Sequence, residues 1–115
     1  MLKCKRIYDP PSDDDGRRLL VDRLWPRGVA KEAARLDDWL KELAPSDDLR
    51  RWFGHDPARW EEFRARYRQE LQGHGEQLDE LRAAAKKGTV TLLFAAKDAE
   101  HNNAVVLKEM LSPSD

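Results

Sequence analysis

The sequence predicts one α/β domain over residues 1–115, with a small, mostly parallel sheet of three to four strands flanked by helices in a loosely Rossmann-like arrangement. Two observations lead there. Thr89-Val-Thr-Leu-Leu-Phe-Ala95 is β-branched or apolar throughout, and helical patterns lie on both sides of it. An α-β-α unit of this kind implies a parallel pairing with helices packed on the sheet. The length, 115 residues, also suits a single domain, which commonly runs to about 100–150 residues around one core.

Taken in order, Leu2 to Tyr8 carries β-permissive residues and stops at Asp9-Pro-Pro-Ser-Asp-Asp-Asp-Gly16, a dense turn signal. Arg18-Leu-Leu-Val-Asp22 is a short apolar run closing on a carboxylate, the form of a buried strand that has reached the sheet edge. Trp25-Pro26 and Gly28 break regularity straight after it. Ala30 to Leu43 permits helix, because Leu36, Trp39, Leu40 and Leu43 keep helical spacing and Pro45 closes the segment. Ser46 reads as an N-cap, with Asp47 and Asp48 where a helix dipole favours negative charge. Asp56 caps the next start, with Pro57 at the first helical position.

Trp60, Phe63, Tyr67 and Leu71 then form one apolar stripe, the clearest helix in the chain, ended by Gly73 and Gly75. Leu78, Leu81 and Ala85 mark another helix, stopped at Gly88. After the strand Thr89–Ala95, Asp98 reads as the cap of a last helix whose face is Ala104, Leu107, Met110 and Leu111. No segment repeats.

Charged residues make up 37% of the chain, well above the roughly 25% of ordinary globular proteins. Four Trp, three Phe and two Tyr mark this as a salt-bridged surface around an aromatic core rather than as disorder. A net charge of −1 argues against a nucleic-acid or acidic-membrane partner. Lone Cys4 has no disulfide partner within the chain, and no signal peptide or apolar run of about 18 residues is recognisable, so a cytoplasmic setting is expected.

Ligands of open parallel sheets bind beyond the carboxyl ends of the strands, which here means Asp22–Lys31 and Ala96–Asn103. In the first segment Asp22, placed at a strand end, is expected to orient Arg23 or Arg27, whose forked guanidinium would hold a phosphate or carboxylate. An internal ion pair pinning the loop explains the same residues equally well. Trp25 could stack on a ring or simply lid the core. In the second segment His101, Asn102 and Asn103 could face an anion at a helix start, or serve as ordinary capping residues. His55 is a candidate base beside Asp56, although bonding to nearby backbone is the simpler reading. Three histidines and one cysteine without ligand spacing give no metal site, and no cofactor motif is present. The arginines from Arg50 to Arg68 interleave with Glu61, Glu62 and Glu70, as on a solvated salt-bridged helix.

Lys5-Arg-Ile-Tyr-Asp-Pro-Pro11, Leu20-Val-Asp-Arg-Leu-Trp-Pro-Arg-Gly28, Trp39-Leu-Lys-Glu-Leu-Ala-Pro-Ser46, Trp52-Phe-Gly-His-Asp-Pro57, Thr91-Leu-Leu-Phe-Ala-Ala-Lys-Asp98 and His101-Asn-Asn-Ala104 together resemble the YeaO-like branch of the domain-of-unknown-function 488 family. The resemblance spans nearly the whole chain. It implies a compact α/β fold and a bacterial, cytosolic protein, and brings no established activity. Broader relatives carry a D-x-R-x-x-P motif near the first segment, which Asp22, Arg23 and Pro26 approximate with the arginine one place early. They also carry L-C-x-E and C-H-R motifs. Phe94 stands here for the cysteine, Ala96 for the glutamate and Asn102-Asn-Ala104 for C-H-R, so the resemblance implies loss of any nucleophilic or acid/base chemistry those groups supply.

The resulting expectation is a domain that binds a small anion, a nucleotide or sugar phosphate, through Asp22, Arg23, Trp25, Arg27, His101, Asn102 and Asn103. Its alternatives are an enzyme acting on nucleic acid or a nucleobase, and a non-catalytic interaction domain with Trp25 as interface anchor.

Overall fold

The computed structural model describes residues 1–112; the last three positions of the expected domain lie outside the described residues. Four strands, β1 (Leu2–Arg6), β2 (Arg17–Leu20), β3 (Asp38–Trp39) and β4 (Val90–Phe94), form one sheet in the order β1-β4-β2-β3. Every pairing is parallel, with Leu2 opposite Val90, Arg17 opposite Val90 and Leu19 opposite Asp38. The apolar run at Thr89–Ala95 thus becomes the inner strand β4, buried along its whole length. Five helices complete the described fold: α1 (Lys31–Ala34), α2 (Asp47–Phe53), α3 (Trp60–Leu71), α4 (Gly75–Lys87) and α5 (Asn103–Leu111). None is long and apolar enough to cross a membrane.

Side chains alternate across the sheet because successive Cβ atoms of a strand point to opposite faces. Leu19, Val90, Leu92 and Phe94 pack with Phe53, Phe63, Tyr67, Leu71, Leu78, Leu81 and Leu107, so α2 to α5 cover one face. Leu20 and Leu93 pack with Ile7 and Ala34, joined by half-buried Trp25, Leu36 and Trp39. The second face therefore carries α1 and the loop that precedes it instead of a full helical layer.

The segment Ala30–Leu43, which permits helix without requiring it, forms a single turn at Lys31–Ala34, the two-residue strand β3 and a 3-10 turn at Lys41–Leu43. The reason is that its apolar residues serve two cores. Leu36 and Trp39 belong to the second face, whereas Leu40 and Leu43 belong to the first. The segment wraps the sheet edge, with the Asp37 N–H donating to the Arg18 carbonyl and the Leu40 N–H to the Leu20 carbonyl, both at 2.8 Å. A continuous helix cannot reach both faces.

At the amino ends of the strands lies a buried ionic centre. Asp15 and Arg18 are 1% and 4% exposed. The Arg18 guanidinium donates to the Asp15 carboxylate at 2.5 Å and to the Ala34 carbonyl at 2.8 and 3.0 Å. Lys5 Nζ donates to both Asp15 oxygens at 3.1 Å. Beside it, Gly16 sits at φ +61° with the Thr89 carbonyl so close that a Cβ would meet it at 2.2 Å. Both features fix the start of β2 against β4, and with it the position at which β2 ends.

Candidate functional site

Parallel pairing gathers the carboxyl ends of the strands at one edge. Tyr8 follows β1, Asp22 to Arg27 follow β2, and Ala95 to Asp98 follow β4. All of them line a cleft of about 830 Å3, whose other walls include Pro45, Arg50, Phe53, His55, Phe63, Asn102 and Asn103.

Asp22 sits at the junction of β2 and β4. Its Oδ2 accepts from the Ala95 N–H at 2.9 Å, and its Oδ1 accepts from Asn103 Nδ2 at 3.0 Å. The same Asn103 amide donates to the Val21 carbonyl at 2.8 Å, locking α5 onto the end of β2. Burial pushes the Asp22 carboxyl above the usual range; the hydrogen bonds from Ala95 and Asn103 and the charge of His55 oppose this without cancelling it. The expected pairing of Asp22 with Arg23 or Arg27 does not form: no cation among the described residues lies within ion-pair distance of Asp22. Arg23 points the other way, because its Nε donates to the Pro45 carbonyl at 3.0 Å and lies 3.8 Å from Asp47.

Six of the seven residues singled out in the sequence border this cleft, the exception being His101. His101 turns instead to Asp98, with Nδ1 at 2.9 Å from Oδ2, and its ring stands edge-on to Trp60 at 5.2 Å. Asn102, not Asp98, is the N-cap of α5. Its Oδ1 accepts from the Val105 N–H at 3.1 Å and its Nδ2 donates to the Asp98 carbonyl at 2.9 Å, which uses up both ends of a buried side chain. Asp98 caps its own turn by accepting from the Glu100 and His101 N–H groups at 2.9 and 3.0 Å. Those bonds, together with the His101 ring, hold its carboxyl below the usual range. Trp25 donates its indole N–H to the Val29 carbonyl at 2.8 Å and packs edge-on to Trp39 at 5.4 Å, so it closes the second core while bordering the cleft. Arg27 is exposed, and its backbone carbonyl accepts from the Tyr8 hydroxyl at 3.0 Å.

The cleft also takes in Arg50, Tyr8 and His55, which lie outside the two strand-end segments expected to form it. Arg50 was indistinguishable from the other arginines of the middle helices, and only the fold shows that it faces this edge. Its Nε is buried with no hydrogen-bond partner among the described residues. His55 carried a signal. It follows Gly54, and both adopt left-handed backbone, φ +52° and +58°. A non-glycine residue rarely holds such a conformation, and here it turns the chain after α2 back to the cleft.

A family model described as the inactive DUF488-N3 subclade matches residues 1–114. The chain belongs to this family. Among its relatives in the domain-of-unknown-function 488 family is an uncharacterized protein, YeaO, of Escherichia coli strain K12, 44% identical over 110 residues that cover 96% of both chains. The uncharacterized protein Rv3073c of Mycobacterium tuberculosis is 39% identical over 111 residues, covering 96% of this chain and 93% of the relative. No solved structure matches. Of the positions that the resemblance set beside the L-C-x-E and C-H-R motifs, Ala96, Asn102 and Asn103 border the cleft, while Phe94 and Ala104 are buried in the larger core.

Proposed function

We propose that this DUF488 protein is a non-catalytic binder of a small organic anion, a nucleotide or sugar phosphate, in the cleft at the strand ends. The observation that carries the reading is the charge of the lining. Arg23, Arg27, Arg50 and Lys97 border one cleft in a chain of net charge −1, against only Asp22 and Asp98 among the acids. Basic groups concentrated in a concave site attract and orient anions.

One further point supports binding over catalysis: the family is described as inactive. The bacterial sources of the relatives support a bacterial setting for this reading.

Thermal-shift and calorimetric titration with a panel of nucleotides and sugar phosphates tests the reading, since a ligand bound to the native state stabilises it by RT ln(1 + [L]/Kd). At least one member is expected to raise the melting temperature in a concentration-dependent way. Arg27→Ala, which removes an exposed guanidinium, is expected to weaken that member about three- to tenfold. No shift with any anion of the panel would overturn the proposal.

A further inference from the structure

We infer that Asp22 is the specificity-determining residue of the cleft, selecting anions that also carry an O–H or N–H donor able to reach its carboxylate. The inference rests on the anion-binding reading and adds the second half of the ligand, a hydroxyl or amino hydrogen such as those of a ribose.

Asp22 has the marks of an acceptor with unused capacity. An ionised carboxylate offers about four lone-pair sites. Asp22 receives one hydrogen bond on each oxygen, from Ala95 and from Asn103. The residue is half-buried, and no cation among the described residues pairs with it, even though Arg23 is its chain neighbour. A partly desolvated carboxylate with acceptor capacity to spare gains from a donor that arrives with a ligand.

Its geometry is also fixed in advance. The Ala95 N–H belongs to the end of β4. Asn103, the first residue of α5, is itself anchored by a 2.8 Å bond to the Val21 carbonyl. The carboxylate is therefore aimed by two rigid elements, and little ordering is required when a ligand bonds to it. Charge completes the selection. Arg23, Arg27, Arg50 and Lys97 line the same cleft as Asp22, so an anion drawn to those cations also meets a negative group. A plain phosphate near Asp22 is repelled by it. An anion that places a hydroxyl or amino hydrogen between itself and Asp22 turns that repulsion into a hydrogen bond.

The test uses two phosphate monoesters of the same ring size on the unmodified protein: ribose 5-phosphate, and tetrahydrofurfuryl phosphate, which has the ring without its hydroxyls. Calorimetry is expected to give ribose 5-phosphate the tighter binding by about tenfold or more, the range for a hydrogen bond to a charged group. Asp22→Asn is expected to bring the ratio towards one, whereas Arg27→Ala weakens both esters and keeps the ratio. Equal affinities in the unmodified protein, or a ratio that survives Asp22→Asn, overturn the selectivity inference and leave anion binding standing. Failure of both esters and of the whole anion panel overturns both. If Asp22→Asn does not fold, the comparison in the unmodified protein still decides whether donors are selected.

Discussion

Asp15 is a buried carboxylate and Asp22 a half-buried one, and their surroundings drive them in opposite directions. Burial raises both, and at Asp22 it prevails. At Asp15 it is overcome by the Ser12 N–H and by Lys5 and Arg18, which hold the carboxyl below the usual value of 3.8. The consequences for stability have opposite signs. Folded Asp22 holds its proton to higher pH than the unfolded chain does, so its contribution is present below 3.8 and lost as the pH rises through its raised value. Folded Asp15 loses its proton more readily, so its contribution is present above 3.8 and lost as the pH falls through its lowered value. Urea unfolding across pH is expected to show Asp22→Asn removing the first loss and Asp15→Asn removing the second. Asp15→Ala at neutral pH is expected to cost about 3–5 kcal/mol, because it strands the Arg18 guanidinium in a site only 4% exposed. Gly16→Ala is expected to cost about 1–3 kcal/mol or more, through its left-handed φ and the clash with the Thr89 carbonyl; its urea midpoint would show this.

Elements are held to one another by a few buried polar ties as well as by packing. The Tyr67 hydroxyl of α3 donates to the Leu43 carbonyl, and the Glu70 carboxylate accepts from the Ser46 N–H and hydroxyl at 2.8 and 2.6 Å. Together they fix the segment ahead of α2, and hence the Pro45 wall of the cleft. Tyr67→Phe leaves that carbonyl buried without a donor and is expected to cost about 1–3 kcal/mol in urea unfolding while the fold is kept.

At this scale the sequence was most legible where one periodicity served one surface. Trp60, Phe63, Tyr67 and Leu71 all meet the larger core, and α3 appears where they predict it. Leu36, Trp39, Leu40 and Leu43 mimic the same spacing while dividing between two faces, which no local pattern reveals. The candidate site was legible in its strand-end segments for a different reason: parallel strands bring all their carboxyl ends to one edge. Arg50 was not legible in this way because its place in the cleft depends on how α2 is carried, and composition records nothing of that.

Across the whole molecule, charge is sorted more sharply than a net of −1 suggests. The arginines of α3 are spent on neighbours. Arg64 and Arg68 meet Glu109 at 2.9 and 2.8 Å, and Arg66 meets Glu62. Of the basic groups of the cleft, Arg23 and Arg50 both approach Asp47, at 3.8 and 3.5 Å, whereas no ion pair among the described residues engages Arg27 or Lys97. Raising salt from about 0.01 to 0.1 M shortens the screening length from about 30 to 10 Å, and calorimetry is expected to show anion affinity at the cleft falling several-fold over that range. By the same reasoning a mononucleotide is expected to bind about as tightly as an oligonucleotide of the same base, because the paired arginines of α3 offer a polymer no continuous track.

The strand order sets a timetable for the chain's own assembly. β1 and β2 are never neighbours; each waits for β4, whose residues 90–94 lie more than 80 positions beyond β1. Until that strand arrives, Leu19, Leu20 and Val21 have no inner partner, and closing so long a loop slows folding. A nascent chain emerging from the ribosome must therefore carry an unfinished, adhesive sheet for most of its synthesis. A fragment ending at Gly88 should behave as that nascent chain does, giving no cooperative unfolding transition by circular dichroism.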